Sequence, residues 1–115
     1  MASLNKVSHF HDCNFCTTAH RAFGKAASAN SQTIAAIMSN EEIECEKDKA
    51  MVDLIVTMLE RRGWVSEQDL AKFYAAGFSQ RNVYDLILVI TIKTLSNYAN
   101  HLTKPELNPE IISML

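Results

Sequence analysis

From Gln80 to Lys104 the chain runs twenty-five residues without a glycine or a proline, between Gly77 on one side and Pro105 on the other. Apolar residues at Val83, Leu86, Ile87, Ile90, Leu95, Tyr98 and Leu102 recur through it, which predicts one long helix capped by Ser79 and running from Gln80 to about Thr103. The run Leu88-Val89-Ile90-Thr91-Ile92 has the β-branched character of a strand, but its length and flanks argue for helix. Leu88, Val89 and Ile92 leave little of the middle polar, so this helix is expected to be surrounded by partners. The whole 115-residue chain holds only three glycines and two prolines, and such sparse punctuation disfavours a many-turned β architecture. The expected fold is therefore all-α, a single domain over residues 1–115 forming a helical bundle of about five to six helices. An apolar tail over 105–115, extended with one final turn, is expected to dock on the domain or on another subunit.

The segment before the long helix divides at its local stop signals. Ser3 to Phe10 is short and mildly apolar, reading as the last turns of a helix or a frayed lead-in. Asp12 is a suitable N-cap for a helix carrying Phe15, Ala19, Ala22, Phe23 and Ala26. Ser31 can cap a short helix with Ile34, Ala35, Ile37 and Met38. Glu41, Glu42, Glu44, Glu46 and Asp48 form an acidic loop running into a helix of Asp48 to Arg62, where Met51, Leu54, Ile55, Met58 and Leu59 turn inward and Gly63 closes. Ser66 then opens a helix with Leu70, Phe73 and Tyr74 inward, stopped by Gly77.

A formal net charge of −2 with dispersed lysines and arginines carries no basic footprint for nucleic acid. The first twelve residues lack a signal-peptide apolar core, and the run Leu86 to Ile90 is far too short to span a bilayer, so no membrane association is expected. Three cysteines, two of them in Cys-x-x-Cys, do not make a secreted disulfide framework; they predict a reducing, cytoplasmic setting in which the pair serves redox chemistry or binds metal. Cys45, among acidic residues, is expected to be inert.

Chemistry concentrates in Asp12-Cys13-Asn14-Phe15-Cys16-Thr17-Thr18-Ala19-His20. On a helix Cys13, Cys16 and His20 fall at i, i+3 and i+7, on one face. A helix start lowers a thiol pKa and favours Cys13, while His20, four residues on, can accept a proton from Cys16. Such a pair can attack a peroxide and close a disulfide. The same residues with His9 or His11 could instead hold zinc, and buried cysteines in an alanine-rich helix can be no more than small hydrophobes.

With Val7-Ser8 upstream, this segment resembles the active-site segment of the alkylhydroperoxidase D-like proteins of the carboxymuconolactone decarboxylase superfamily. Val65-Ser66-Glu67-Gln68-Asp69-Leu70 with Ala75-Ala76-Gly77-Phe78-Ser79 is similar to the family's connector between later helices, and Asn97-Tyr98-Ala99-Asn100-His101 to its terminal helix. The resemblance implies a helical protein assembling into trimers or hexamers, with thiol-dependent peroxidase or disulfide oxidoreductase activity, no cofactor, a peroxide substrate and an external thiol or dithiol reductant. It implies Cys16 as the peroxide-attacking residue, Cys13 as the resolving one and His20 as part of a proton relay. The decarboxylase branch lacks the cysteine pair. One departure stands out: the family's relay glutamate, twelve residues before the first cysteine, is Met1 here. His9 and His11, by proximity, or an acidic residue between Glu41 and Asp48, are the candidates to replace it.

Overall fold

The computed structural model describes residues 2–19 and 31–113. Among them the chain is helical without strands: α1 Ala2–Phe10, α2 over 14–19, α3 Ser31–Ser39, α4 Glu46–Glu60, α5 Glu67–Ala75, α6 Gln80–Thr103 and α7 Pro109–Ser113. The expected continuation of α2 through Ala22, Phe23 and Ala26 lies outside the described residues.

Local chemistry sets most of the boundaries. Ser66 caps α5 in a reciprocal box: its hydroxyl accepts from the Asp69 N–H at 3.1 Å while the Asp69 carboxylate accepts from the Ser66 N–H at 3.1 Å. Ser79 and Asn82 repeat the arrangement at the start of α6. At the end of α4, Arg62 takes a left-handed conformation (φ 54°) and the Gly63 N–H returns to the Met58 carbonyl at 2.8 Å, a Schellman closure. Gly77 (φ 102°) ends α5, where a side chain would be strained. Within the tail, Pro109–Ser113 forms the short α7.

The hub is α1, which packs against α3, α4 and α6. Of the two readings of Ser3 to Phe10, the helix holds and the frayed lead-in does not: Asn5, Val7 and Ser8 have no exposed surface at all. Val7 joins Leu54, Ile55, Met58, Phe73 and Leu86 in the main core, with Phe78 stacked on Phe73 at 4.4 Å. Each such fully buried large apolar side chain contributes about 1.5–3 kcal/mol. Ala36, Ile37, Ile43 and Val52 form a second cluster between α3 and α4. Tyr74, expected inward, is exposed, and Val52 takes a buried place on α4 that the sequence reading assigned to neighbours.

The first half of the expected α6 stripe holds, with Leu86 in the core and Val83 and Ile90 packed against it, but its later positions face outward. Leu86, Lys93 and Asn97 are buried, whereas Leu95 is 73% and Leu102 85% exposed, with Leu88, Ile92 and Tyr98 also open. Its outer face is thus more apolar than the end of its inner face, which is polar.

Candidate active site

The cysteine pair hangs from the end of α1. There the Asp12 N–H donates to the His9 carbonyl and the Cys13 N–H to the Ser8 carbonyl, both at 3.0 Å, with Asp12 left-handed (φ 55°). This is a second Schellman closure, and it makes Asp12 the stop of α1 and not the expected N-cap of α2. Cys13 holds that position instead: its carbonyl accepts from the Thr17 N–H at 2.8 Å, and Cys16 lies one turn further on.

Cys13 and Cys16 are free thiols, both buried, with Sγ atoms 2.6 Å apart and the Cys13 S–H donating to Cys16. Burial, followed by that donated hydrogen bond, pushes the Cys13 thiol up to about 11. The Cys16 backbone N–H and the Lys93 ammonium pull the other way without prevailing. The expectation that the helix start lowers the Cys13 pKa is therefore corrected: the sulfur is desolvated and is engaged as a donor.

The rest of the site comes from α6. Asn100 Nδ2 donates to Cys16 Sγ at 3.0 Å, so two donors converge on one sulfur. One and two turns earlier lie Asn97 and Lys93, both buried, and Ser8 Oγ on α1 donates to Asn97 Oδ1 at 3.3 Å. Lys93, Asn97 and Asn100 thus stand at i, i+4 and i+7, a polar interruption of an apolar helix. That spacing is the signal by which the sequence could have revealed them.

An open pocket of ≈ 550 Å³ lies beside the pair, lined by His11, Cys13, Asn100, His101 and Lys104 among others. Cys13 borders it, and Cys16 is not among its lining residues. His11 Nε2 is hydrogen-bonded with Thr94 Oγ1 at 2.9 Å, and its ring meets Tyr98 edge-on at 5.0 Å. Burial, then the nearby His101, lowers the His11 pKa, which favours the neutral imidazole. His9, lowered by burial and then by Lys6, does not line this pocket. His20 lies outside the described residues.

No residue between Glu41 and Asp48 borders the cysteine pocket. Glu42 pairs with Lys49 at 3.5 Å, and Asp48 accepts from Thr33 Oγ1 at 2.7 Å. Cys45 is half-buried at the N-cap of α4. Among the described residues no three His, Cys, Asp or Glu side chains group as metal ligands, and no helix is long and apolar enough to cross a membrane.

No protein-family model and no curated protein matches this chain. Its fold is similar to the crystal structure of an uncharacterised peroxidase-related protein from Silicibacter sp. TM1040, with a TM-score of 0.81 at 20% sequence identity. The match covers 96% of this chain and 59% of that one, so the chain spans under two thirds of its neighbour's length. At that identity the likeness establishes the shared all-helical fold.

Proposed function

We propose that the protein is an alkylhydroperoxidase D-like thiol oxidoreductase that reduces peroxides through Cys16 and Cys13. The observation that carries the reading is the pair itself, two reduced thiols in contact, with the Cys13 S–H donating to a Cys16 sulfur that also accepts from Asn100. In the proposed cycle the Cys16 thiolate attacks the distal peroxide oxygen and the O–O bond breaks. Cys16 becomes a sulfenic acid and the alkoxide leaves, taking up a proton. Cys13 then attacks the Cys16 sulfur, water departs and the disulfide forms. An external dithiol restores both thiols and is itself oxidised to a disulfide.

As a proton carrier for the departing alkoxide, His11 has the support of its place in the pocket and of a lowered pKa that favours the neutral ring. His9 lacks that support, and His20 retains its relay role on the strength of the motif. The exposed apolar face of α6 supports assembly into a homo-oligomer, and cysteine usage with two of three in Cys-x-x-Cys supports a reducing, cytoplasmic compartment.

The test is turnover of an alkyl hydroperoxide with a dithiol reductant, comparing the parent with Cys16→Ser and Cys13→Ser. Cys16→Ser is expected to abolish turnover. Cys13→Ser is expected to permit one oxidation per chain and then stall. Equal rates in all three proteins would remove the reading, and stoichiometric zinc with protected thiols would replace it with a structural metal site.

A further inference from the structure

The contact between Asn100 and Cys16 spans the molecule, from the last turn of the long helix to the first turn of α2, yet it ends on a sulfur, at 3.0 Å. A side-chain amide does not ionise at any accessible pH, so Asn100 cannot carry the proton that the absent glutamate would carry. It supplies a fixed N–H dipole, aimed at a single atom.

The pair is also asymmetric. Cys13 lines the pocket and Cys16 does not, so a thiolate that enters there to open the disulfide has Cys13 as its target. That attack forms a bond from the donor sulfur to Cys13, breaks the Cys13–Cys16 bond and places the electron pair on Cys16 Sγ. The donor's second thiol, as a thiolate, then attacks its own sulfur in the mixed disulfide. Cys13 leaves as a thiolate, and the two cysteines take up the two protons the dithiol has given up. Through the first step the negative charge appears on Cys16, where the Asn100 N–H already points. When Cys13 is tied into the mixed disulfide it has no S–H to donate, and among the described residues Asn100 remains as the side-chain donor to that sulfur.

We propose that Asn100 is a catalytic residue, the electrostatic partner of the Cys16 sulfur both as nucleophile and as leaving group. The inference rests on the reading of Cys13 and Cys16 as a redox-active pair. Among the described residues, the other charged or titratable groups near the pair are Cys13 on its own turn, Lys93 on α6, and His11, Asp12, His101 and Lys104 around the pocket; His20, one turn after Cys16 in the sequence, lies outside them. None of these described groups is recorded as a hydrogen-bond donor to Cys16 except Cys13.

The experiment measures Cys16 alkylation by iodoacetamide against pH in a Cys13→Ala, Cys45→Ala background, with Asn100 intact or changed to Ala, Asp or Gln. Each profile is normalised to its high-pH plateau. Loosened packing raises the plateau without moving the profile, so the normalised curve separates a purely structural role. Asn100→Ala is expected to shift the profile to higher pH and to slow alkylation at pH 7 by about tenfold, the scale of one hydrogen bond to a charged group. Asn100→Asp is expected to slow it further, and Asn100→Gln to restore part of the rate. In the otherwise intact chain, Asn100→Ala is expected to slow reduction of the Cys13–Cys16 disulfide by dithiothreitol to a similar degree. Superimposable profiles, or a disulfide reduced at the parent rate, overturn the inference. Because alkylation requires no peroxide, a shifted profile in a protein that turns over no peroxide upholds Asn100 and removes only the peroxidase reading. Turnover with an unmoved profile does the reverse.

Discussion

Ser8 on α1 donates its hydroxyl to Asn97 on α6 at 3.3 Å, and both residues are completely buried. The bond joins the two helices that frame the cysteines. A buried polar pair tolerates loss of one member poorly, because the survivor keeps its desolvation cost. Ser8→Ala and Asn97→Ala are each expected to destabilise the fold by about 1–3 kcal/mol, read as a lowered denaturation midpoint at unchanged slope. A change under a few tenths of a kcal/mol would show that the bond contributes little.

The buried Lys93 ammonium is one of the influences that restrain the upward push on Cys13. Lys93→Met keeps the bulk of the side chain and removes the charge. The Cys13 thiol should then ionise at still higher pH and react more slowly as the resolving residue. Stopped-flow measurement of disulfide closure after one equivalent of peroxide checks this, and an unchanged rate would place the Lys93 charge outside the resolving step.

The raised Cys13 pKa has a thermodynamic consequence whose sign is fixed. Cys13 holds its proton up to about 11 when folded, while in the unfolded chain it loses it near the ordinary value of 9.0. The unfolded state therefore binds fewer protons across that window. The associated stability is complete below the lower pH and is lost as pH rises toward the upper one. Denaturation of the reduced protein at several alkaline pH values should show this decline, and the Cys13–Cys16 disulfide form, which has no thiol to titrate there, should lack that part of it.

On the outer face of α6, Leu88, Leu95 and Leu102 recur every seven residues and are all exposed. If this stripe is the subunit interface, Leu88→Glu combined with Leu95→Glu should lower the mass measured by sedimentation while leaving the helical circular dichroism intact. A parent protein that is monomeric at every concentration would dismiss the oligomer.

Much of the framework is legible in the sequence because it is set by neighbours a few residues apart. Ser66 with Asp69, Ser79 with Asn82, and Gly63 and Gly77 are local chemistry, and the helices lie where those signals put them. What escapes a local reading depends on residues meeting across the chain. Asn5 and Ser8 look like surface positions until α1 is surrounded by three helices. Leu95 and Leu102 look like core because the inward face of α6 gives its last turns to Lys93, Asn97 and Asn100. Asp12 has the composition of a cap, and only the approach of Cys13 to Ser8 decides which helix it belongs to. Within the candidate site, Cys13 and Cys16 are legible from their spacing, while Asn100, their partner from α6, shows in the sequence only as one of the polar positions Lys93, Asn97 and Asn100, with nothing there to pair it with Cys16.

The hub position of α1 makes the cysteine pair a clock for the whole molecule. Its sulfurs are shielded only when the first helix has met the long helix near the other end of the sequence, so no isolated fragment of the bundle should protect them. Thiol labelling during refolding would then date the moment at which the two ends of the chain join, read as the fall of Cys13 and Cys16 reactivity from that of the open chain to its native level.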